Sequence, residues 1–537
     1  MPNFFVCMKF RFLKGNNNRD FVVMSEMSVS PPPLRKDDVY RCVKSCLERK
    51  EYKPFMTKSF DKYIRASYLF NGNVFPYTLW EDVKSKLRQL GVKPSDMVLS
   101  GEPDQSFVIS KEEFDDWLGN VHVPDEMKIS EEYDFQPESV FRALNKRTAR
   151  IMVATSGGKT FITYLYCRFL VDFRERLGIN KILIIVPAKL LCNQLVNDFK
   201  EYDVWYRDND VSPLTVSPIY GGSKQVADAN VVCGTYQSLC QYDREYFDDF
   251  DVVICDELHR AKAYSIRNEI YAKCLRTKFF FGMTGSEPEY KSLDYLHITS
   301  MFGPEVMRVD ASEAIDRGIS NNVSVNQIVI DYYVGDRRVT RIRDLIDVPE
   351  EYCDGDNVNY NAIYQLEKEF FQSREDRLMI LSRFLSRFRE TSIVLVDTVE
   401  YCHVIENYLR RVLPSEMCVE VIHGSVSDKK RQQIIDEARR STENYVIVAT
   451  YGTMSTGVSI KSLTNLYIVD GGKSGTRIRQ SVGRVMRVLE GKSKSRVFDF
   501  KDNITHSSFY RQAREREKIY RENLGFVVNM FNTRVNV

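Results

Sequence analysis

The sequence predicts an α/β protein with two parallel-sheet domains in tandem, preceded by a small α+β region. Three observations lead there. From about residue 130, short apolar runs of strand length alternate with longer amphipathic runs. The same alternation starts again near residue 390. Before residue 130 the rhythm is different, with hairpin-like turns and isolated helices. Strands alternating with helices imply a parallel sheet covered on both faces. The divisions expected are 1–125 for the accessory region, 126–320 for the first α/β domain and 321–537 for the second.

Composition narrows the function. A chain of 537 residues, 43% hydrophobic, can bury several cores. The net charge of +2 gives no global basic signal, so a nucleic-acid surface must be local. Twelve cysteines are scattered without a C-x-x-C pair and read as reduced core residues rather than metal ligands. No secretory leader pattern and no apolar run of about eighteen residues is evident, so the chain reads as intracellular and soluble.

In chain order, Phe4–Phe12 and Phe21–Met27 read as a hairpin around Gly15-Asn16-Asn17-Asn18. A helix follows the break at Pro31-Pro32-Pro33, from Lys36 to about Arg49. A second hairpin is expected from Tyr63–Phe70 and Val74-Phe75 around Asn71-Gly72-Asn73. Leu79–Leu90 reads as an amphipathic helix stopped by Gly91. Ser110-Lys111-Glu112-Glu113 has the capping pattern of a short helix through Trp117. Lys53, Lys58, Lys62 and Arg65 cluster around the second hairpin, as a phosphate-binding patch or as a solvated edge.

The first α/β domain contributes strands at Arg150–Val153, Ile182–Val186, Asn230–Cys233, Val252–Cys255 and Phe279–Met283. Helices are expected over Phe161–Phe173, stopped by Gly178, and over Leu190–Phe199. In the second domain Ser392–Val396, Val419–Ile422, Tyr445–Ala449 and Leu466–Val469 read as strands. Residues 335–360, charged and poorly periodic, read as an insertion or linker.

The chemistry centres on Val153-Ala154-Thr155-Ser156-Gly157-Gly158-Lys159-Thr160. A strand, a glycine turn and a helix form the context of a phosphate-binding loop. Glycines let backbone N–H groups turn toward an anion, and the helix N-terminus adds its positive dipole end. Lys159 is placed to reach the β- and γ-phosphates, and the Thr160 hydroxyl to hold Mg²⁺. The usual first glycine of such a loop is Val153 here. Taken alone, Gly-Lys-Thr also fits an ordinary strand-to-helix turn.

Downstream, Asp256-Glu257-Leu258-His259 follows an apolar strand, at the ligand edge of a parallel sheet. There Asp256 suits Mg²⁺, and Glu257 suits the orientation and activation of water. Thr284-Gly285-Ser286 ends the next strand, either as a phosphate sensor or as a plain turn. Gln480-Ser481-Val482-Gly483-Arg484-Val485-Met486-Arg487 puts two arginines on one helical face, with the geometry to bind phosphate. His423 reads as a local structural histidine.

In this order, these four motifs resemble those of superfamily 2 helicases, and more closely those of the bacteriophage UvsW type. That type similarly has serine at the position of Ser156 and lacks the first glycine. Further similar stretches are Lys181–Pro187, Gly234-Thr235-Tyr236-Gln237, Ala449-Thr450-Tyr451-Gly452 and Ser455–Ser459. Phe114-Asp115-Asp116-Trp117-Leu118 extends the likeness into the first region, so that it covers roughly 60–537.

The resemblance implies two RecA-like domains with ATP bound between them and Mg²⁺ as cofactor. Thr155, Ser156, Gly157, Gly158, Lys159 and Thr160 would form the nucleotide loop. Gln136 would read the adenine, Gly457 would couple ATP to the second domain, and Gln480, Arg484 and Arg487 would act on the phosphates. Thr235, Ser425 and Thr453 would contact the nucleic-acid backbone. The implied activity is ATP-dependent remodelling of branched DNA (forks, four-way junctions and R-loops) in phage replication, recombination and repair. An RNA helicase and the motor subunit of a restriction system are the rival readings.

Overall fold

The computed structural model describes residues 5–13, 21–30, 36–52, 63–68, 74–93, 97–100, 109–127, 129–154, 157–221, 228–261, 265–285, 292–349, 359–440, 444–454, 462–472, 475–486 and 495–537. The chain forms two units: Met1–Val153 with Gly158–Val309, and Ala154–Gly157 with Asp310–Val537.

The first unit begins with six strands: β1 (Phe5–Leu13), β2 (Phe21–Ser30), β3 (Glu48–Tyr52), β4 (Tyr63–Ser67), β5 (Val74–Pro76) and β6 (Met97–Ser100). β1 and β2 pair antiparallel, as the hairpin pattern predicts. β6 adds in parallel to β1, giving a mixed sheet ordered β5-β2-β1-β6. The second expected hairpin does not form. β4 pairs with β3, placing Arg65 opposite Lys50, whereas β5 pairs with β2. The reason is that an Asn-Gly turn permits a hairpin but cannot supply a partner edge; Glu48–Tyr52, directly after helix Lys36–Leu47, supplies one for β4. Both turns, Gly15–Asn18 and Asn71–Asn73, lie outside the described residues, as do Lys53, Lys58 and Lys62.

Helix Trp80–Gln89 buries Trp80, Val83 and Leu87 and gives way to Gly91 at φ +90°. Helix Lys111–Gly119 starts where Ser110 Oγ accepts the Glu113 N–H at 3.1 Å. The core of this layer, including Val22, Val43, Leu47 and Phe75, takes in Leu296 from helix Leu293–Phe302 of the adjoining α/β portion. Two polar contacts reach the same helix: Thr78 Oγ1 donates to Ser300 O at 2.8 Å, and Tyr68 Oη meets His297 Nδ1 at 2.7 Å.

The α/β portion has seven strands: β7 (Thr148–Val153), β8 (Ile182–Val186), β9 (Val216–Ile219), β10 (Val231–Thr235), β11 (Val252–Cys255), β12 (Phe279–Thr284) and β13 (Glu305–Val309). Their order is β13-β7-β12-β11-β8-β10-β9, and every pair is parallel. β8, β10, β11 and β12 are buried at every position, which explains their unbroken apolar runs. Helix Lys159–Asp172 is buried without a break from Phe161 to Val171. It therefore lacks a polar stripe.

The second unit carries β14 (Val323–Val334), β15 (Arg337–Arg338), β16 (Ser392–Val396), β17 (Met417–Ile422), β18 (Asn444–Thr450), β19 (Asn465–Ile468), β20 (Ser495–Asp502) and β21 (Val528–Asn536). The order is β15-β14-β20-β19-β16-β18-β17, with β21 added to β14. All pairs are parallel except the short β14–β15 turn-back. Two parallel sheets with helical crossovers are the tandem RecA-like architecture that the resemblance implies.

His297 yields a pH test. Burial first, then the charge of Arg267, holds its imidazole down to about 4, against the opposing charge of Asp294. The unfolded chain, at the ordinary 6.5, takes up the proton first as pH falls. Stability is thus present above 6.5 and lost between 6.5 and 4. With solvent screening allowed for, lowering the pH from 7 to 5 should cost about 1 kcal/mol. Thermal melts should show this loss in the native chain and a smaller one in His297→Gln.

Candidate functional site

The carboxyl ends of β7, β11 and β12 place the site. β12 joins β7 on one side and β11 on the other, with Thr284 level with Met152 and Cys255 level with Gly282. The segment after β7 runs through Ala154 to Gly157, whose N–H donates to Ala154 O at 3.1 Å. Gly158 then takes φ +76° and ψ +38° and caps helix Lys159–Asp172. A Cβ at Gly158 would collide with Gln136 Nε2, and the left-handed backbone disfavours any side chain as well. Gln136 is buried on helix Phe135–Leu144. Thr155 and Ser156 lie outside the described residues.

Asp256 and Glu257 leave β11 through a tight corner. Glu257 sits at φ +51°, rare for a non-glycine residue, and its N–H donates to Asp256 Oδ1 at 2.8 Å. Burial, then the Glu257 charge, pushes Asp256 up to about 6 against the charge of Lys159. Burial also works to raise Glu257. It is outweighed by the hydrogen bond from His259 and the charges of Lys159, His259 and Arg260, which hold Glu257 down to about 2. A carboxylate held that low is ionised at neutral pH and suits orienting a water more than removing its proton outright.

His259 is the residue that sequence reasoning passed over. Its Nδ1 lies 3.2 Å from Glu257 Oε2 and 3.1 Å from Thr284 Oγ1. The buried imidazole therefore ties the carboxylate after β11 to the hydroxyl at the end of β12. The signal was its position two residues after Glu257, where a 3-10 turn folds it back. Thr284 is buried against His259, and Ser286 lies outside the described residues.

The oxygen set of Thr160 and Asp256 fits a hard divalent cation such as Mg²⁺, and the glycine corner with Lys159 fits an anionic phosphate chain. When bound, Mg²⁺ would neutralise charge on the phosphate oxygens.

Other predicted residues fall as follows. Thr235 ends β10, buried, with its hydroxyl on Ser238 Oγ at 3.1 Å. In the second unit, Ser425 is exposed and its N–H donates to His423 Nδ1 at 3.3 Å, which gives His423 the local role expected of it. Thr453 is buried, 2.9 Å from the Thr450 hydroxyl. Helix Gly475–Val485 buries Ile478, Val482 and Val485 against its sheet. Gln480 and Arg484 both lie on this helix. Gly457 and Arg487 lie outside the described residues.

Both α/β portions of the chain are similar to known proteins. Residues 123–288 match the family model of the type III restriction enzyme res subunit, and residues 376–489 that of the helicase conserved C-terminal domain. The chain is an ATP-hydrolysing helicase, and its domains are similar to those of superfamily 2. It resembles the UvsW type: it is 27% identical over 402 residues to the ATP-dependent DNA helicase uvsW of Enterobacteria phage T4, covering 74% of this chain and 73% of that one. It is also 24% identical over 372 residues to the type I restriction enzyme EcoAI endonuclease subunit of Escherichia coli, covering 65% of this chain but 43% of the relative. Among solved structures, the type ISP restriction-modification enzyme LlaBIII shares the fold at a TM-score of 0.51 and 16% identity, over 85% of this chain and 36% of that one.

The geometry gives Glu257→Gln a defined outcome. Nucleotide binding should persist, whereas turnover should fall by about 10² to 10⁴. Binding of a fluorescent ATP analogue and steady-state ATPase rates check the two halves separately. Lys159→Ala should weaken both.

Proposed function

We propose that this chain is an ATP-driven DNA translocase that remodels branched DNA (forks, four-way junctions and R-loops) in phage replication, recombination and repair, in the cytoplasm of the infected host. One observation carries the reading. A phosphate-loop corner, a paired Asp256-Glu257 and the His259–Thr284 link converge on one sheet edge, in a chain similar over most of its length to a phage DNA helicase.

In this reading Gln136 reads the adenine, and Thr155, Ser156, Gly157 and Gly158 form the loop that takes the phosphates. Lys159 neutralises their charge, and Thr160 with Asp256 holds Mg²⁺. Glu257, kept ionised by His259, orients the attacking water. Gln480, Arg484 and Arg487 bind the phosphates during turnover. Gly457 couples the nucleotide state to the second unit. Thr235, Ser425 and Thr453 grip the strand backbone, a mode that positions without reading sequence. The buried hydroxyls of Thr235 and Thr453 make Ser425 the most accessible of the three.

The test is ATP turnover and strand separation measured on single-stranded DNA, forks, four-way junctions, R-loops and RNA. Stimulation by branched DNA supports the reading, stimulation by RNA alone replaces it with the RNA-helicase reading, and translocation on plain duplex without branch preference favours a restriction-type motor. Arg487→Ala should still bind nucleotide while turnover falls by roughly 10³. Unchanged turnover would remove the arginine from the reaction.

Branch preference requires a surface beyond a backbone grip. We assign it to the amino-terminal layer, with Lys53, Lys58, Lys62 and Arg65 as its phosphate contacts. Changing all four to Gln should weaken fork binding while leaving single-strand-stimulated ATPase near the native rate. The plot of log K against log salt should flatten by about 0.9 per lost phosphate contact. A native salt slope in the variant would dismiss the patch.

A further inference from the structure

Helix Leu293–Phe302 touches two parts of the first unit that the sequence treats separately. One side receives the amino-terminal layer through Leu296, His297 and Ser300. The other meets β7, the strand that runs into the phosphate loop. Tyr295 stands where the two sides come together. Its hydroxyl donates to Asp82 Oδ1 at 3.2 Å, and Asp82 belongs to helix Trp80–Gln89 of the amino-terminal layer. The same hydroxyl accepts from Arg150 Nη2 at 3.4 Å. The Arg150 guanidinium also lies over the Tyr295 ring, 5.0 Å from its centroid.

Arg150 is itself buried on β7, three residues before Val153. Its Nε donates to Gly303 O at 2.7 Å and its backbone N–H to Pro304 O at 2.9 Å. It thereby fixes the turn that feeds β13 alongside β7. A small cavity on the inner side of these strands is lined by Arg150, Met152, His259 and Thr284, so Arg150 borders the group that holds Glu257. On the outer side an open groove is lined by Asp82, Arg88, Arg150, Tyr295 and Arg308.

We propose that Tyr295 is a positioning residue that couples the amino-terminal layer to the nucleotide site through Asp82 and Arg150. A direct Asp–Arg pair would hold the two elements in one arrangement. A hydroxyl between them, at 3.2 and 3.4 Å, makes two long, directional bonds that a small displacement of helix Trp80–Gln89 breaks. The packing of Leu296 and the Thr78 and Tyr68 contacts hold the layer in place meanwhile, leaving the Tyr295 link free to respond. The inference rests on the proposed function, in which the amino-terminal layer senses branched DNA.

The test uses Tyr295→Phe, Asp82→Ala and the double variant in the full chain. Tyr295→Phe keeps the ring over Arg150 and loses both hydroxyl bonds. Basal ATPase, the KM for ATP and the melting temperature should stay near native. Stimulation of kcat by a fork should fall about five-fold or more. The double variant should lose no more than Tyr295→Phe alone, because both changes cut one link. Native-like fork stimulation in Tyr295→Phe overturns the inference and leaves the proposed function standing. So does a parallel fall of basal and stimulated rates with a lower melting temperature, which would make Tyr295 a support of the fold only. A native chain that no nucleic acid stimulates overturns both.

Discussion

A parallel strand delivers its carboxyl end to the same edge as its neighbours, so the residues following β7, β10, β11 and β12 emerge side by side. The arrangement of the nucleotide site depends on that constraint. The chain reaches β8 directly after β7 and its helix, then returns to insert β11 and β12 between them. The insertion brings Thr284 next to the strand of the phosphate loop and Asp256 and Glu257 one strand further along, although roughly 100 to 130 residues separate them from it in sequence. Burial at every position of β8, β10, β11 and β12 shows that both faces of these strands are covered.

Two backbone positions at this edge carry unusual φ values, for different reasons. Gly158 turns left-handed at little steric cost and leaves room for Gln136. Glu257 does the same with a side chain, which costs of order 1–3 kcal/mol. That strain brings the carboxylate back within reach of His259 while Asp256 accepts the corner N–H. The corner thus sets two neighbouring carboxylates to different tasks. One is raised by burial and suits a cation, and the other is kept ionised beside an imidazole.

The parallel sheets, the phosphate-loop corner and Asp256-Glu257 were legible because each rests on local chemistry: apolar runs, a glycine turn, carboxylates after a strand. β9, β13, β14, β20 and β21 were not marked. β14 and β21 alternate or mix polar residues such as Asn326, Gln327 and Asn529, so they do not read as apolar runs. The Asn71-Gly72-Asn73 turn misled because strand pairing is a non-local choice, and β4 and β5 each found another partner. The roles of His259 and Tyr295 were not legible for the same reason. Their roles come from Thr284, Asp82 and Arg150, residues that only the fold brings to them.

The second unit repeats the parallel sheet but treats its carboxyl edge differently. Asp397 follows β16, and Asp470 lies two residues beyond β19. Lys368 Nζ donates to Asp397 Oδ2 at 2.7 Å, Gln372 Nε2 donates to Asp470 Oδ2 at 2.8 Å, and Arg377 joins Asp502 at the end of β20 at 3.1 Å. Where the first sheet presents a glycine corner and a lysine, the second closes these strand ends with ion pairs and a Gln372–Asp470 hydrogen bond. Buried pairs such as Arg377–Asp502 add little net stability, since desolvation opposes the attraction, but removing one partner is costly. They therefore fix arrangement more than they add strength. Arg516 shows what is arranged: it holds Asp499 by two donors and also donates to Gly472 O at 2.9 Å. Gly472 N–H donates to Gln512 Oε1 at 2.7 Å. This turn leads toward helix Gly475–Val485, which carries Gln480 and Arg484. In one unit the strand ends present a glycine corner and a lysine; in the other they are filled by internal ion pairs and hydrogen bonds.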